Sequence, residues 1–183
     1  LVLAACGGEG STADSSESAG ANGSDQVLNL IESAEIPTMD SVQATDTVAF
    51  TALSNVNEGL YRQGLDGTVE LGIAAEDPTV SEDGLVYTFT IRDEANWSNG
   101  EPVTAEDFVY SWRKLVDPAE AASYSYMMAG VIANATEIID GAVAPEELGV
   151  KAIDEKTLEI TLTSPVPYFK DLLTLAMFFP QNQ

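Results

Sequence analysis

The sequence has no histidine, a single cysteine, and only 7 Lys and Arg among its 183 residues. The missing imidazole excludes a Ser–His–Asp relay, a Cys–His pair and a histidine metal site. One cysteine forms neither an internal disulfide nor a cysteine-rich zinc site. Against the 7 cations stand 30 Asp and Glu, a formal net charge of −23. A chain this acidic repels phosphate backbones and anionic headgroups, which excludes nucleic acid as a partner. It also lacks a glycine-rich phosphate loop, a calcium-loop pattern and a Gly-x-Ser-x-Gly elbow, so no cofactor or metal is expected. What it does have is 45% apolar residues, enough for a packed core. Its length suits one domain or two small ones.

The chain opens inside an apolar run, Leu1-Val2-Leu3-Ala4-Ala5, that ends at Cys6-Gly7. A secretory signal has a basic start, an apolar middle and small residues at its cleavage site. Residues 1–6 therefore read as the end of a lipoprotein signal peptide. Leu3-Ala4-Ala5-Cys6 resembles the bacterial lipobox, with Cys6 as the lipidated residue; the alternative is a chance cysteine near an apolar terminus. The composition of the next segment favours the lipobox. From Gly7 to Asp25 there is no aromatic, no Leu, Ile, Val or Met, and no cation. Such a segment cannot offset its ordering entropy, so residues 7–26 read as a disordered polar tether. A chain of this type spans about 5–6 Å × √n, roughly 25 Å here. At the other end, Phe178-Phe179-Pro180-Gln181-Asn182-Gln183 stops straight after an apolar stretch, and the chain is expected to be a piece of something longer.

Val27–Ile31 reads as a short buried strand. After Pro37, Asp46 is placed to cap a helix from Thr47 to about Asn57, with Val48, Ala52, Val56 and Leu60 at helical spacing and Gly59 ending the pattern. Leu65-Asp66-Gly67-Thr68 predicts a turn. Leu85–Arg92 is the clearest strand, with Tyr87, Phe89 and Ile91 on one face. After a turn at Ser98-Asn99-Gly100, Thr104 opens a helix with Asp107 three residues on, a capping-box variant. Phe108, Val109, Trp112, Leu115 and Val116 form its apolar face, and Asp117-Pro118 stops it. Further helices are predicted over Ala119–Met128 and Val131–Asp140, the latter closed by Gly141. Val150–Asp154 and Thr157–Leu162 predict a hairpin about Glu155-Lys156, and Tyr168–Leu173 a short helix. Strands and helices mix without regular alternation, which favours an α+β fold.

Paired acids such as Glu106-Asp107 or Asp93-Glu94 suggest glycosidase chemistry. Among so many acids, however, such pairs arise by chance, and adjacent helical residues do not face each other. Glu106 and Asp107 fall in a first helical turn, where negative charge offsets the dipole. Arg92 could hold a ligand carboxylate, but neutralising Asp93 or Glu94 is the simpler role. Trp97, Trp112, Tyr110, Tyr124 and Tyr126 could stack on a ligand, although Trp112 belongs to an apolar face and so to the core. No enzyme emerges from these residues.

Gly84-Leu85-Val86-Tyr87-Thr88-Phe89-Thr90-Ile91-Arg92 leads to Trp97-Ser98-Asn99-Gly100-Glu101-Pro102-Val103-Thr104-Ala105-Glu106-Asp107-Phe108-Val109-Tyr110-Ser111-Trp112. This region resembles the signature of the extracellular solute-binding proteins, family 5. That family serves ABC importers for oligopeptides, dipeptides and nickel. Asp117-Pro118 with Ala122-Ser123-Tyr124, Leu148-Gly149-Val150-Lys151-Ala152 and Pro165-Val166-Pro167-Tyr168-Phe169 resemble its oligopeptide branch. Glu35-Ile36-Pro37-Thr38-Met39-Asp40 and Glu58-Gly59-Leu60 also fit.

The resemblance implies a periplasmic-binding-protein-like class II fold, whose full members have two lobes and an extra domain. Residues 27–57 would be the first segment of the main lobe and residues 58–183 the extra α+β domain. It implies capture of extended oligopeptides and delivery to ABC transporter permease subunits. The place of action would be the outer face of the cytoplasmic membrane, the periplasmic space in a Gram-negative cell. The family's loop before its first main helix contributes to the peptide cleft. That loop corresponds to Ala44, Thr45, Asp46 and Thr47, with Thr45, Asp46 and Thr47 as the ligand-binding candidates. Asp46 can equally be a plain helix cap, and Thr45 stands where some members carry an acid. A surface lipoprotein that uses the fold for adhesion or pheromone sensing is the second reading.

Overall fold

The computed structural model describes residues 31–183. The Cys6 lipobox, the 7–26 tether and all but the last residue of the Val27–Ile31 strand lie outside the described residues, and Ile31 itself is exposed coil. Helix α1 covers Thr47–Val56. Strands β1 (Tyr61–Gln63) and β2 (Val69–Leu71) form an antiparallel ribbon around the Leu65–Thr68 turn, where Gly67 sits at φ +82°, a conformation glycine adopts without a Cβ penalty. Strands β3 (Thr79–Val80), β4 (Val86–Thr90), β5 (Val150–Ala152) and β6 (Thr157–Thr161) form one antiparallel sheet in the order β3-β4-β6-β5. Helix α2 (Ala105–Val116) packs on that sheet against β5 and β6, and the short helices α3 (Ala135–Ile139) and α4 (Phe169–Leu172) complete the α+β arrangement. Phe89 and Ile91 are buried and Tyr87 packs on the same core, as the alternation predicts. None of the helices described is long and apolar enough to cross a membrane.

Three helical expectations need correction. The buried face of α1 is Ala49 and Leu53 with Phe50 beside them, while Val56 is 72% exposed. The β-branched positions at helical spacing point elsewhere because the small Ala49 fits against Ala176 and Phe179. The predicted helix over Ala119–Met128 is a run of turns ending in a 3-10 turn at Ser125–Met127. There Asp117 Oδ1 accepts the Ala119 amide at 2.8 Å, and Ala121 takes a left-handed φ of +50°; such a residue ends a right-handed helix. The Val131–Asp140 helix shrinks to α3 because residues 131–133 pair with β6. The Ala133 amide donates to the Thr161 carbonyl and the Thr163 amide to the Val131 carbonyl, both at 2.9 Å.

α2 keeps to its sequence pattern. Thr104 and Asp107 form the capping box, and Phe108, Val109, Trp112, Leu115 and Val116 are all buried. Trp112 is 0% exposed and meets Phe108 and Phe178 edge-on, with centroids 6.4 and 5.5 Å apart. Its indole N–H donates to the Phe178 carbonyl at 2.9 Å, and the buried Ser111 hydroxyl to the Phe179 carbonyl at 2.7 Å. Gly59 permits the close approach this requires. A Cβ there would meet the Phe179 ring at 2.7 Å and the Leu173 carbonyl oxygen at 2.9 Å.

A polar cluster ties the segment before α1 to the same helix. Lys114 Nζ donates to Asp40 Oδ2 at 2.7 Å and to Gln181 Oε1 at 3.2 Å. Gln181 Nε2 in turn donates to Asp40 Oδ1 at 2.6 Å and to Ser41 Oγ at 2.9 Å. Burial alone would raise the Asp40 carboxyl, but hydrogen bonds from Lys114, Gln181 and the Val42 amide outweigh it and hold the pKa below the ordinary 3.8. Burial likewise opposes the Lys114 charge, yet Asp40 leaves its pKa above 10.5.

Both sets of contacts have measurable consequences. Ser111→Ala leaves the buried Phe179 carbonyl without its donor, and should cost about 1–3 kcal/mol in urea unfolding; a midpoint equal to the parent's would show that another donor or water replaces the hydroxyl. Because the folded-state pKa of Asp40 is depressed, its contribution is present above the unfolded value and lost as pH falls through the folded one. The stability gap between the parent and Asp40→Asn should therefore hold above about pH 4 and close below it, as read from urea midpoints across that range.

Candidate functional site

The loop from Asp40 to Thr47 is built from its own acidic residues. The Asp40 carbonyl accepts the Gln43 and Ala44 amides at 3.1 and 2.9 Å, and Asp40 Oδ1 accepts the Val42 amide at 3.0 Å. Short acidic side chains favour such local turns. Ser41, Val42 and Ala44 are buried beneath the turn. Asp46 then takes an extended conformation (φ −120°, ψ 158°), and its Oδ1 accepts the Ala49 amide at 2.9 Å. The capping role read from the sequence is therefore present, and it leaves the backbone of Asp46 extended.

Thr45 and Thr47 face solvent, and Asp46 is half-buried between them. Among the described residues, the Thr45 N–H and C=O and the Asp46 N–H enter no hydrogen bond. Unpaired main-chain groups on an extended, exposed segment are free to pair with an incoming strand. Thr45 and Asp46 thus form a short exposed stretch that leads into Thr47, the first residue of α1, with buried neighbours on its N-terminal side.

The other candidate residues have structural partners. Arg92, two residues beyond the end of β4, pairs with Glu58 at 2.7 Å rather than with Asp93 or Glu94. Trp97 N–H donates to Asp107 Oδ2 at 3.1 Å, and the same oxygen accepts the Thr104 amide at 2.8 Å and the Thr104 hydroxyl at 3.1 Å. Asp107 is therefore the hub of a cap through Oδ2, and adjacent helical residues such as Glu106 and Asp107 do not face each other. Trp112 is core. Tyr124 lies between Phe50 of α1 (5.8 Å) and Tyr126 (6.0 Å), leaving Tyr126 60% exposed.

All seven cations fall within the described residues, and each has a protein partner. Arg62, Arg92, Lys114, Lys151 and Lys170 pair with carboxylates. Arg113 donates to the Glu146 carbonyl and Lys156 to the Val103 carbonyl. No group of acids or cysteine within that region has the arrangement of a metal site. The sequence alone could not show these partners, since several join residues more than thirty positions apart.

A concavity of about 1160 Å³ lies beside α1, lined in part by Met39, Phe50, Leu53, Arg92, Trp97 and Leu175. Thr45, Asp46 and Thr47 are not among its walls. The exposed loop edge and this concavity are separate features of the surface.

Known proteins are similar to this chain in sequence and fold. The oligopeptide-binding protein OppA of Bacillus subtilis (strain 168) is 37% identical over 183 residues, which is 100% of this chain and 33% of that protein. A structure of Listeria monocytogenes OppA bound to peptide matches with a TM-score of 0.83 at 50% identity, covering 86% of this chain and 31% of that one. A structure of the pheromone receptor PrgZ matches with a TM-score of 0.77 at 45% identity, covering 79% and 28%. The chain thus spans about a third of the length of the relatives it matches. These likenesses place the α+β fold described here in the class II periplasmic-binding-protein-like group. The profile described as bacterial extracellular solute-binding proteins, family 5 Middle, matches residues 68–182. That span contains the Trp97–Trp112 signature whose cap and core contacts the structure accounts for, and the chain belongs to the bacterial extracellular solute-binding proteins of family 5.

Proposed function

We propose that this chain is part of the substrate-binding protein of a peptide ABC importer, which captures extended oligopeptides outside the membrane and delivers them to permease subunits. The observation that carries this reading is the exposed Thr45–Thr47 edge, with its unpaired main-chain groups set on the buried Ser41, Val42 and Ala44. An extended peptide adding itself to such an edge is held through the groups every peptide shares. Hydrated side-chain pockets then accept many side chains, since water supplies adaptable partners. The cations support the same division. With all seven engaged, this part of the protein offers main-chain pairing rather than a charged clamp.

In this reading residues 27–57 begin the main lobe and residues 58–183 form the extra domain. Cys6 carries the lipid anchor, with residues 7–26 as its tether, on the outer face of the cytoplasmic membrane. The protein acts by binding, with no catalytic step. A second reading, peptide-pheromone sensing, draws on the 45% identity to PrgZ; it differs in demanding selectivity for one peptide.

One exposed edge cannot offset the cost of fixing a peptide, on the order of 0.5–1.5 kcal/mol per ordered side chain plus the rigid-body term. Calorimetry should therefore detect no peptide binding to this chain alone, and sequence-tolerant binding to the complete protein. Joint replacement of Thr45, Asp46 and Thr47 by Gly should weaken that binding. Tight binding by the chain alone would move the site into residues 58–180 and sink the proposal, while binding of one peptide to the exclusion of others would favour sensing. Cys6→Ala should shift the protein from the detergent to the aqueous phase on partitioning; an unchanged distribution would remove the lipid anchor.

A further inference from the structure

We propose that Lys114 is a positioning residue for the peptide-binding edge, acting through Asp40 from α2 without touching the ligand. The inference rests on the functional reading of Thr45–Thr47 as that edge.

Asp40 is the hub of the loop. Its carbonyl and Oδ1 organise the turn through the Gln43, Ala44 and Val42 amides. Those bonds are local and fix the shape of the turn, not its place against the rest of the protein. Burial of Val42 and Ala44 sets its depth, but burial is non-directional. Direction comes from the other bonds to Asp40, which arrive from distant parts of the chain. Lys114, 74 residues away on the last turn of α2, reaches Oδ2 at 2.7 Å. Gln181, 141 residues away, reaches Oδ1 at 2.6 Å.

Lys114 also bonds Gln181 at 3.2 Å, closing a triangle among α2, the 178–181 segment and the loop. Side-chain exposures of 19% for Lys114 and 30% for Asp40 leave the pair partly shielded from water, where a charge-assisted bond keeps more of its strength than at an open surface. Gln43 adds a weaker tie through its side-chain amide to the Glu120 carbonyl at 3.0 Å. Thr45 begins one residue after the turn ends, so a small displacement of Asp40 passes directly to the edge. A binding edge whose main-chain groups must meet a partner strand tolerates little displacement, because hydrogen bonds weaken steeply with angle and distance.

The test uses the complete protein and a tetra-alanine peptide, whose neutral side chains leave the cleft's own charges out of the comparison. Lys114→Met should weaken binding by at least about threefold at a temperature where both proteins are fully folded. Amide exchange in the ligand-free protein should quicken over residues 42–44, whose amides Asp40 accepts, while α2 stays protected. Lys114→Arg, which keeps the charge, should restore both. Asp40→Asn should reproduce the loss, and combining it with Lys114→Met should add little further. A purely structural role would lower the urea midpoint without moving affinity in the folded state. Should Lys114→Met fail to fold, Asp40→Asn carries the same comparison. A peptide-binding parent whose variants bind within about threefold of it, or an exchange pattern unchanged over residues 42–44, overturns the positioning role alone. A complete parent protein that binds no peptide overturns the functional reading and the positioning role with it.

Discussion

Two donors on one turn of α2 hold the arrangement of this protein. The Ser111 hydroxyl and the Trp112 indole each take one carbonyl of the returning chain, at Phe179 and Phe178. Both carbonyls belong to buried residues, where an unpaired acceptor is expensive. The return segment therefore has one place to lie. α1 packs against it through Ala49 and Leu53, and Gln181, two residues further on, reaches back to Asp40 and Ser41. The edge at Thr45–Thr47 thus owes its position to contacts on α2 that are far from it in sequence.

α2 is itself fixed at its start by a second convergence. Asp107 Oδ2 collects the Thr104 amide and hydroxyl and the Trp97 indole. These bonds explain why Trp97, Thr104, Asp107, Ser111 and Trp112 occur as one motif. The first three set the helix on the turn that precedes it, and the last two fasten the chain that returns. The motif that marks the family is therefore structural, and the residues proposed to meet the ligand lie in a different and far less distinctive part of the sequence.

Charge is organised in the same spirit. With 30 acids and 7 cations, every cation is taken by a carboxylate or a carbonyl, and the surplus is all negative. Such a surface discourages anionic partners and leaves main-chain hydrogen bonding as the chemistry that the Thr45–Thr47 edge can offer.

Local patterns were fully legible where a single element made its own case. The Thr104–Asp107 cap, the five-residue apolar face of α2, the Tyr87-Phe89-Ile91 alternation and the β5–β6 hairpin all depend on residues within a few positions of one another. So does the Asp46 cap. The sequence by itself also excluded a histidine relay and a histidine or multi-cysteine metal site within this chain, since it has no histidine and one cysteine. Elsewhere the outcome rested on partners distant in the chain. The segment over 131–133 reads as helix but pairs with the chain at β6 and just beyond it; the run at Ala119–Met128 is a local exception, turning once Asp117 and Ala121 have taken their conformations. β1, β2 and β3 are two or three residues long, too short to carry a period of their own. Only the tertiary structure decided that Arg92 meets Glu58, that Lys114 meets Asp40, and that Ala49 rather than Val48 faces inward. Each of these is a matter of which surfaces meet, and a hydrogen bond or a buried methyl has no meaning until its partner, tens of residues away, has been brought into place.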